Sequence, residues 1–288
     1  MNTILVTGSN GQLASEIKEL SSSYEYIFFF VSKSELDITN KEALEEFIDT
    51  NNIDIILNCA SYTAVDKAEE EKELANSVNH YAVRNLAEIS KVRNIKLIHI
   101  STDYIFDGHN YQPHIETDRG NPCSVYGQSK FDGENAMIEV NPKNSVIIRT
   151  SWVYSQFGSN FLKTMLRLGR KKEELGVIFD QIGTPTYAKD LAKVMLEILP
   201  KLGNETVEVY HYSNEGVLSW YDFATEIMNM ADVDCQVNPI ESKDYATAAQ
   251  RPFHSLFNKA KIKKDFNIVI PYWRESLDRC LKEMGERV

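Results

Sequence analysis

The first 150 residues alternate between short apolar runs and longer amphipathic stretches. The apolar runs have the length and composition of strands that are buried on both faces of a sheet. They are Ile4-Leu5-Val6, Tyr26 to Val31, Ile53 to Leu57, Leu97 to Ile100 and Val146 to Ile148. Between them lie the predicted helices, Gln12 to Leu20, Lys41 to Thr50, Lys72 to Arg93 and Ser129 to Val140. This alternation predicts right-handed βαβ units around a parallel sheet.

The pattern becomes looser after Arg149. Helices are predicted at Asn160 to Lys172, Ala188 to Leu199, Ser219 to Met230 and Trp273 to Met284, with a strand at Val207 to Tyr210. Ser219 is a plausible helix cap, with Asp222 three residues later as an imperfect capping box. No repeat or Pro/Gly-rich linker divides the sequence. We therefore expect a chain that weaves between two lobes.

Composition excludes several classes of partner. The 288 residues carry 42 acidic and 31 basic side chains, a net charge of −11, which argues against binding to nucleic acid. One phosphorylated small molecule remains compatible, because a helix N-terminus can hold it. The four cysteines form no CxxC pair, so neither a zinc site nor a disulfide framework is expected. With no signal-like start and no membrane-length apolar window, the sequence predicts a cytoplasmic protein without a membrane partner.

A glycine-containing turn follows the first predicted strand and opens the first helix. Gly8 permits a tight turn, Gly11 lets the backbone approach a pyrophosphate, and Ala14 lets helix and strand pack closely. The helix N-terminus adds unpaired N–H groups and a partial positive charge. A Gly-x-x-Gly pair is a weak signal alone, but its place in a βαβ chain predicts a dinucleotide cofactor.

The end of the second strand indicates which dinucleotide is bound. An acidic residue there favours NAD. Here Val31 is followed by Ser32, Lys33 and Ser34, and the first carboxylate is Glu35. A hydroxyl and a cation suit a 2′-phosphate better, so NADPH is preferred over NADH, with NADH left open. The alternative is that Ser32 and Lys33 belong to a solvated loop.

Tyr126 and Lys130 lie four residues apart in a predicted helix, so that both side chains can face one cleft. Thr102 and Asp103 end the fourth strand, at the edge where open parallel sheets place their sites. A nearby ammonium favours phenolate and makes the phenol a faster acid–base group. We expect Tyr126 to protonate a carbonyl oxygen as hydride arrives, Lys130 to tune Tyr126 and bind the nicotinamide ribose, and Thr102 to hydrogen-bond the same oxygen.

These residues resemble the extended short-chain dehydrogenase/reductase superfamily, and further strings resemble the dTDP-4-dehydrorhamnose reductase family over nearly the whole chain. The strings are Gly11-Gln12-Leu13, Leu36-Asp37-Ile38, Asn58 to Glu69, Ser101 to Gly108, Val125 to Lys130, Arg149 to Tyr154, Asn160-Phe161, Asp180 to Thr186 and Arg251-Pro252. The resemblance implies NAD(P)H-dependent reduction of the 4-keto group of a nucleotide-linked deoxysugar, dTDP-4-dehydro-L-rhamnose, to dTDP-L-rhamnose.

The resemblance also implies roles for individual residues. The pyrophosphate would meet Gly8, Gly11, Gln12 and Leu13. Asp37 and Ile38 would lie near the adenine, and Ala60, Ser61, Tyr62 and Thr63 would line the ribose and pyrophosphate side. Thr102, Tyr126 and Lys130 would form the catalytic set, with Asp103 beside them. Trp152, Asn160, Gln181 and Arg251 would contact the sugar nucleotide. By residue type alone, Asp37 could equally cap a helix, Trp152 pack in a core, and Arg251 belong to a turn.

The resemblance has departures and alternatives. Ala14 replaces the usual third glycine, and Ser61 stands where a third alanine is common. Some members of the family form metal-assisted dimers through acidic residues; these cannot be mapped here, so no metal is expected and a homodimer is left open. A sugar-nucleotide epimerase or dehydratase is the alternative enzyme, although Gln12-Leu13 replaces its usual Phe-Ile pair. A non-catalytic subunit resembling the regulatory subunit of methionine adenosyltransferase is the alternative without enzyme activity.

The predicted fold class is α/β, a Rossmann-type doubly wound parallel sheet with a smaller, discontinuous substrate-binding lobe. The dinucleotide-binding domain is expected at residues 1–155, with 186–212 returning to it. The substrate-binding lobe is expected at residues 156–185 and 213–288.

Overall fold

The computed structural model describes residues 1–287. Its strands are β1 (Thr3–Thr7), β2 (Ile27–Val31), β3 (Ile55–Asn58), β4 (Lys96–Thr102), β5 (Ser145–Thr150), β6 (Val153–Tyr154), β7 (Glu174–Ile178), β8 (Ile182–Gly183), β9 (Thr186–Tyr187), β10 (Glu208–His211), β11 (Leu218–Ser219) and β12 (Gln236–Ile240). Its α-helices are α1 (Gln12–Leu20), α2 (Lys41–Thr50), α3 (Val65–Ala68), α4 (Lys72–Asn76), α5 (Ala82–Arg93), α6 (Val125–Val140), α7 (Phe161–Gly169), α8 (Ala188–Ile198), α9 (Trp220–Met230), α10 (Ala260–Phe266) and α11 (Trp273–Glu283).

The central sheet has six strands in the order β10-β5-β4-β3-β1-β2, and every neighbouring pair is parallel. The chain leaves β1 for β2 on one side and then crosses to β3 on the other. The strand order therefore reverses between β1 and β3, and the crevice above their carboxyl ends is where such sheets bind ligands. The predicted doubly wound α/β fold is confirmed.

Apolar side chains cover both faces of this sheet. On β1, Ile4 and Val6 face one core together with Ile17 of α1 and Leu191 of α8. Leu5, between them, faces a second core with helices α2 and α5. Because successive strand residues point to opposite faces, a continuous apolar run is what burial on both sides requires.

A third apolar core belongs to the smaller lobe. It contains Leu162 and Leu166 of α7, Phe223 and Ile227 of α9, and Leu277 of α11. Two ladders that the sequence did not predict cover it, β7 with β12 and β8 with β11. The capping box at the start of α9 is present, since the Ser219 and Asp222 side chains each accept a hydrogen bond from the other residue's backbone N–H.

The chain crosses between the two lobes more than once. Helix α8 packs on α1, and β10 extends the central sheet beside β5. Ile262, Phe266 and Ile268, near the C-terminal end, also join the first core of the sheet domain. The lobes are therefore tied together by several passes of backbone. No helix within residues 1–287 is both long and apolar enough to cross a membrane.

The stretch predicted as one helix from Lys72 to Arg93 has three parts. Helices α4 and α5 flank a π-helical turn at Ser77–Tyr81. Gly133 of α6 packs directly on this turn, where an added Cβ would lie 2.1 Å from the carbonyl oxygen of Asn79. Turns of this kind occur often at functional sites, and this one directs Asn79 towards the loop after β3 and towards Ser129 of α6.

Candidate active site

A cavity of about 690 Å³ lies at the carboxyl ends of β1, β3, β4 and β5. The strand order reverses at the same edge, so the fold itself places the cavity there. Seventeen residues predicted as site residues line it: Gly8, Gly11, Gln12, Leu13, Ser32, Lys33, Asp37, Ile38, Ala60, Ser61, Tyr62, Thr63, Thr102, Asp103, Tyr126, Lys130 and Trp152. Asn160, Gln181 and Arg251 do not themselves line it, although Asn160 donates to the lining residue Gln12.

The turn after β1 has the shape that a pyrophosphate requires. Gly8 has φ +69°, and a Cβ there would lie 2.8 Å from Cα of Ala60. A side chain at this position would therefore be strained and would collide with the loop after β3. The N–H of Gly11 donates to the carbonyl of Gly8 at 2.8 Å, and Gly11 begins α1 without a side-chain cap. The first N–H groups of a nine-residue helix thus face the cavity with no side-chain partner.

Two residues in the loop after β2, Ser32 and Lys33, were predicted to recognise a 2′-phosphate. The structure gives them different surroundings. Lys33 lines the cavity with its side chain 71% exposed, 3.9 Å from a carboxylate oxygen of Asp37. Ser32 donates both its N–H and its hydroxyl to Glu35, at 2.7 and 2.6 Å. The carboxylate of Glu35 is therefore occupied, and so is the hydroxyl of Ser32. Lys33 is the side chain of this loop that can reach a phosphate without breaking a short hydrogen bond.

Asp37 stabilises its own turn, since its carboxylate accepts from the N–H and hydroxyl of Thr39 at 3.0 and 2.8 Å. These bonds and the ammonium of Lys33 outweigh desolvation, so the pKa of Asp37 is lowered. Asp37 thus lines the cavity as a carboxylate, and the cap of α2 is Asn40 instead.

Helix α6 carries Tyr126 and Lys130 into the cavity. Its start is fixed by Ser124, whose hydroxyl accepts from the N–H of Gly127 at 3.1 Å. Gly127 lets the helix approach closely, because a Cβ there would lie 2.3 Å from the carbonyl of Tyr104. Both side chains that the sequence analysis paired are nearly fully buried at the cavity wall. The close approach of α6 therefore brings the Tyr–Lys pair beside the end of β4.

Burial dominates the proton equilibria of this pair. It raises the pKa of Tyr126 to about 12, opposed by the nearby hydroxyl of Thr102 and reinforced by Asp103. It lowers the pKa of Lys130 to about 8, opposed by the charge of Glu134 one helical turn away. The ammonium of Lys130 donates to the carbonyl of Ile100 at 2.6 Å. The phenol of Tyr126 is protonated at neutral pH, as a general acid must be, and burial by itself makes it a weaker acid than a free phenol.

Thr102 and Asp103 occupy the end of β4. The hydroxyl of Thr102 donates to Oδ1 of Asp103 at 3.1 Å and accepts from the N–H of Tyr104 at 3.2 Å. Burial raises the pKa of Asp103 to about 6, opposed by the hydroxyls of Ser255 and Thr102. Its second oxygen, Oδ2, has no hydrogen-bond partner among the described residues. A carboxyl group that changes charge near neutrality therefore lies at the centre of the site.

Asn79, which was not predicted from the sequence, connects the loop after β3 to helix α6. Its Oδ1 accepts from the hydroxyl of Ser61 and the N–H of Tyr62, both at 2.8 Å. Its Nδ2 donates to the carbonyl of Tyr62 and to the hydroxyl of Ser129, both at 3.0 Å. Ser129 in turn donates to the carbonyl of Tyr126 at 2.8 Å. The sequence feature that could have pointed to Asn79 is an uncharged polar side chain inside the amphipathic helix predicted from Lys72 to Arg93.

Three residues of the smaller lobe that were predicted to contact the sugar nucleotide have hydrogen-bond partners within the chain. Asn160 caps α7 and donates to Gln12 Oε1 at 2.9 Å. Gln181 donates to the hydroxyl of Ser242 at 3.1 Å. Arg251 forms a two-pronged ion pair with Asp66, at 2.8 and 3.2 Å. Asp66, in the first turn of α3, therefore joins the two lobes through Arg251.

Within residues 1–287, one cluster of three glutamates has carboxylate oxygens close enough together to hold a cation. Its members are Glu16, Glu19 and Glu283. The ammonium of Lys189 donates to Glu19 at 3.2 Å and to Glu283 at 2.8 Å. A cation from the chain itself thus already neutralises part of this group. We assign no metal to it.

The parallel sheet and the cavity at its carboxyl ends define a Rossmann-type protein with a place for a dinucleotide. A family model described as the RmlD substrate binding domain matches residues 1–286. The dTDP-4-dehydrorhamnose reductase of Aggregatibacter actinomycetemcomitans is 42% identical, over 96% of this chain and 97% of that protein. The chain belongs to this family of dTDP-4-dehydrorhamnose reductases, as the sequence analysis predicted.

Solved structures agree with this family. A dTDP-4-dehydrorhamnose reductase from Clostridium acetobutylicum has a TM-score of 0.93 at 37% identity, covering 98% of this chain and 99% of that one. The dTDP-4-dehydrorhamnose reductase of Bacillus anthracis, solved in complex with NADP, has a TM-score of 0.93 at 37% identity, covering 98% and 100%. The predicted oxidoreductase class is confirmed. The roles of individual residues stay predictions.

Proposed function

We propose that this chain uses NADPH to reduce the 4-keto group of dTDP-4-dehydro-L-rhamnose, which gives dTDP-L-rhamnose. One observation carries the proposal: the buried pair Tyr126 and Lys130 shares a cavity with the glycine turn at Gly8. A proton donor thus lies beside a dinucleotide site. The names of the relatives support the substrate, and the NADP in the Bacillus anthracis structure supports the cofactor.

The cavity fits a dinucleotide. Gly8 leaves the space that a Cβ would fill, and the start of α1 offers N–H groups to a pyrophosphate. Lys33, exposed at the rim, would meet a 2′-phosphate, and the loop after β3, from Ala60 to Thr63, would line the ribose side. When bound, NADPH supplies the hydride.

Tyr126 supplies the proton. A phenol is protonated at neutral pH, and Tyr126 lies at the wall of the cavity. As the carbonyl carbon gains hydride, negative charge develops on the oxygen, and the phenol proton passes to that oxygen to give the alcohol. The ammonium of Lys130 then stabilises the phenolate that remains. Its bond to the carbonyl of Ile100 uses one of three N–H groups and leaves donors for a ribose hydroxyl.

Asp103 controls the hydroxyl of Thr102. A hydroxyl has one proton, and in this structure Thr102 gives it to Asp103. Thr102 can donate to the substrate oxygen only when it rotates away from that carboxylate. Protonation of Asp103, whose pKa is raised to about 6, would weaken the bond and favour the rotation.

The smaller lobe supplies the sugar-nucleotide side. We place the dinucleotide domain at residues 1–155 and 186–212, and the substrate lobe at 156–185 and 213–288. Within that lobe, Arg251 would exchange its carboxylate partner Asp66 for the substrate diphosphate, because a guanidinium fork binds either anion. Ile262 and Phe266 pack on the sheet domain, which supports an anchoring role for the C-terminal segment.

The experiment is a stoichiometric assay on the purified chain. Oxidation of NADPH is followed by loss of nicotinamide absorbance, with dTDP-4-dehydro-L-rhamnose as substrate, and dTDP-L-rhamnose is identified by mass spectrometry and NMR. We expect one NADPH consumed for each product formed. The Tyr126→Phe variant is the control, because it keeps the ring and removes the proton. Absence of the product with NADPH unconsumed would overturn the proposal.

The same assay separates the two alternatives. An epimerase or dehydratase of the superfamily would convert a sugar nucleotide without net use of NADPH. A non-catalytic subunit would bind nucleotide and turn nothing over. The buried Tyr126, Lys130 and Thr102 favour catalysis over the latter.

Two further proposals are that the chain forms a homodimer and that it is located in the cytoplasm. Homodimer formation is measured by light scattering coupled to gel filtration. Cytoplasmic location is measured by fractionation of cells that produce the protein.

A further inference from the structure

Trp152 lies at the wall of the cavity in an unfavourable backbone conformation. It follows β5 and has φ +49°, in the left-handed region that residues other than glycine seldom adopt. Neighbouring bonds hold this turn: the hydroxyl of Ser151 donates to the carbonyl of Thr184 at 2.8 Å, and the N–H of Thr186 donates to the carbonyl of Trp152 at 3.2 Å. The surrounding structure thus fixes a strained residue, as is common at functional sites.

The indole ring of Trp152 is held in a slot made by the β8–β11 ladder. Trp220, the first residue after β11, stacks on it with ring centroids 3.7 Å apart and planes at 13°. Gly183 of β8 lies at the ring edge, where an added Cβ would come within 2.9 Å of Cζ2. Gly183 pairs with Leu218 of β11, two residues before Trp220. The ladder therefore fixes the position of Trp220 relative to Gly183. We call Trp220 and Gly183 the indole slot.

An aromatic series connects the slot to the core of the smaller lobe. Phe161 packs on Trp220 with centroids 4.6 Å apart, and Phe223 stacks on Phe161 at 5.8 Å. Phe223 is fully buried. Trp220 itself is not among the residues that line the cavity, whereas Trp152 is. The contact of Trp220 with the wall of the cavity is thus its stack on Trp152.

We infer that Trp220 and Gly183 are positioning residues that hold the indole of Trp152 as a rigid wall of the cavity for the deoxysugar. This inference rests on the proposed function. A deoxysugar has apolar ring and methyl surface that an indole face can cover. A wall that does not move lets the sugar be oriented without the entropic cost of ordering a mobile side chain.

The test is a double-mutant cycle on the full-length enzyme. Trp220→Leu removes the stack, Trp152→Leu removes the wall, and the double variant removes both. Trp273→Leu is the matched control, because Trp273 lies in the same core and contacts Phe223 rather than Trp152. Gly183→Ala, which adds one methyl group at the ring edge, tests the other side of the slot. For each variant we measure kcat and KM for dTDP-4-dehydro-L-rhamnose, the Kd for NADPH, and the melting temperature.

We expect Trp220→Leu to lower kcat/KM for the sugar nucleotide by about 3- to 10-fold, the range typical of lost aromatic pairs. The Kd for NADPH should stay unchanged. In the Trp152→Leu background the same substitution should have no further effect, because Trp220 acts through Trp152. Equal losses in both backgrounds, or a loss matched by Trp273→Leu at the same melting temperature, would overturn the inference.

Circular dichroism separates failure of the inference from failure of the proposed function. Two indoles stacked this closely couple their far-ultraviolet transitions, so Trp152→Leu and Trp220→Leu should remove the same band, and Trp273→Leu should leave it. A parent enzyme that turns over no dTDP-4-dehydro-L-rhamnose would contradict the proposed function, and the spectra would still decide the stack. An active parent with different bands lost in the two variants would contradict the inference alone.

Discussion

Replacement of Lys130 by Met tests whether the site keeps a buried ammonium at a cost in stability. Lys130 is 2% exposed, and burial lowers its pKa from 10.5 to about 8. Each tenfold change in proton affinity corresponds to about 1.4 kcal/mol, so burial of the charged form costs ~3 kcal/mol. Methionine keeps much of the apolar stem and removes the charge. It also leaves the carbonyl of Ile100 without its donor, which costs ~1–3 kcal/mol.

The balance of these two costs depends on pH. At pH 7 Lys130 is protonated in both the folded and the unfolded chain, and the full burial cost is present. Between about pH 8 and 10.5 the unfolded chain binds more protons, so the stability of the parent rises with pH. We therefore expect Lys130→Met to be as stable as the parent, or up to ~2 kcal/mol more stable, at pH 7. At pH 10 it should be the less stable of the two.

Urea unfolding of the unliganded protein at pH 7, 8.5 and 10 measures this difference. Lys91→Met is the control, because Lys91 also donates to a backbone carbonyl, that of Val140 at 2.7 Å, from an exposed position. Its stability should differ little from that of the parent, because Lys91 is exposed. Turnover of Lys130→Met should be lost while the fold is retained. A Lys130→Met protein that is less stable than the parent by the same amount at every pH would refute the reasoning.

Three further substitutions test other parts of the site. Tyr126→Phe should lower kcat by ~10²–10⁴-fold with a nearly normal Kd for NADPH, and a kcat within a few-fold of the parent would remove Tyr126 as the acid. Lys33→Glu should weaken NADPH much more than NADH in titration calorimetry, through like-charge repulsion with the 2′-phosphate; equal effects on both would mean that Lys33 faces solvent in the complex. Asp103→Asn should abolish the inflection near pH 6 in the pH profile of kcat/KM, because Asp103 is the group whose raised pKa lies there; an inflection that persists would assign it to another group.

Local sequence patterns predicted the elements whose causes are local. The turn at Gly8 and Gly11 follows from its place between a strand and a helix, and the capping box at Ser219 and Asp222 lies within four residues. The pair Tyr126 and Lys130 shares a helix face by spacing alone. These features need no knowledge of distant parts of the chain, so one sequence was enough to place them.

The features that sequence reasoning missed depend on contacts between distant residues. The π-helical turn at Asn79 is packed against Gly133, and Arg251 pairs with Asp66 across 185 positions. The stack of Trp220 on Trp152 requires the β8–β11 ladder, whose two-residue strands have no periodicity to detect. No local pattern encodes these contacts.

The effect of burial on the pKa of Tyr126 could also not be predicted from the sequence. The spacing of Tyr126 and Lys130 led to the expectation that the ammonium lowers the pKa of the phenol. In the structure desolvation dominates and raises that pKa to about 12. Desolvation depends on how closely α6 packs against the segment at Tyr104, which the sequence does not specify. The role of Lys130 in tuning Tyr126 stays a prediction.

Isotope transfer tests the central claim most directly. The purified chain is incubated with dTDP-4-dehydro-L-rhamnose and NADPH that carries deuterium at C4 of the nicotinamide, with each face labelled in a separate sample. The account predicts dTDP-L-rhamnose with one deuterium at C4 of the sugar from one of the two labelled cofactors, and none from the other. Product without deuterium from either sample would contradict direct reduction by NADPH.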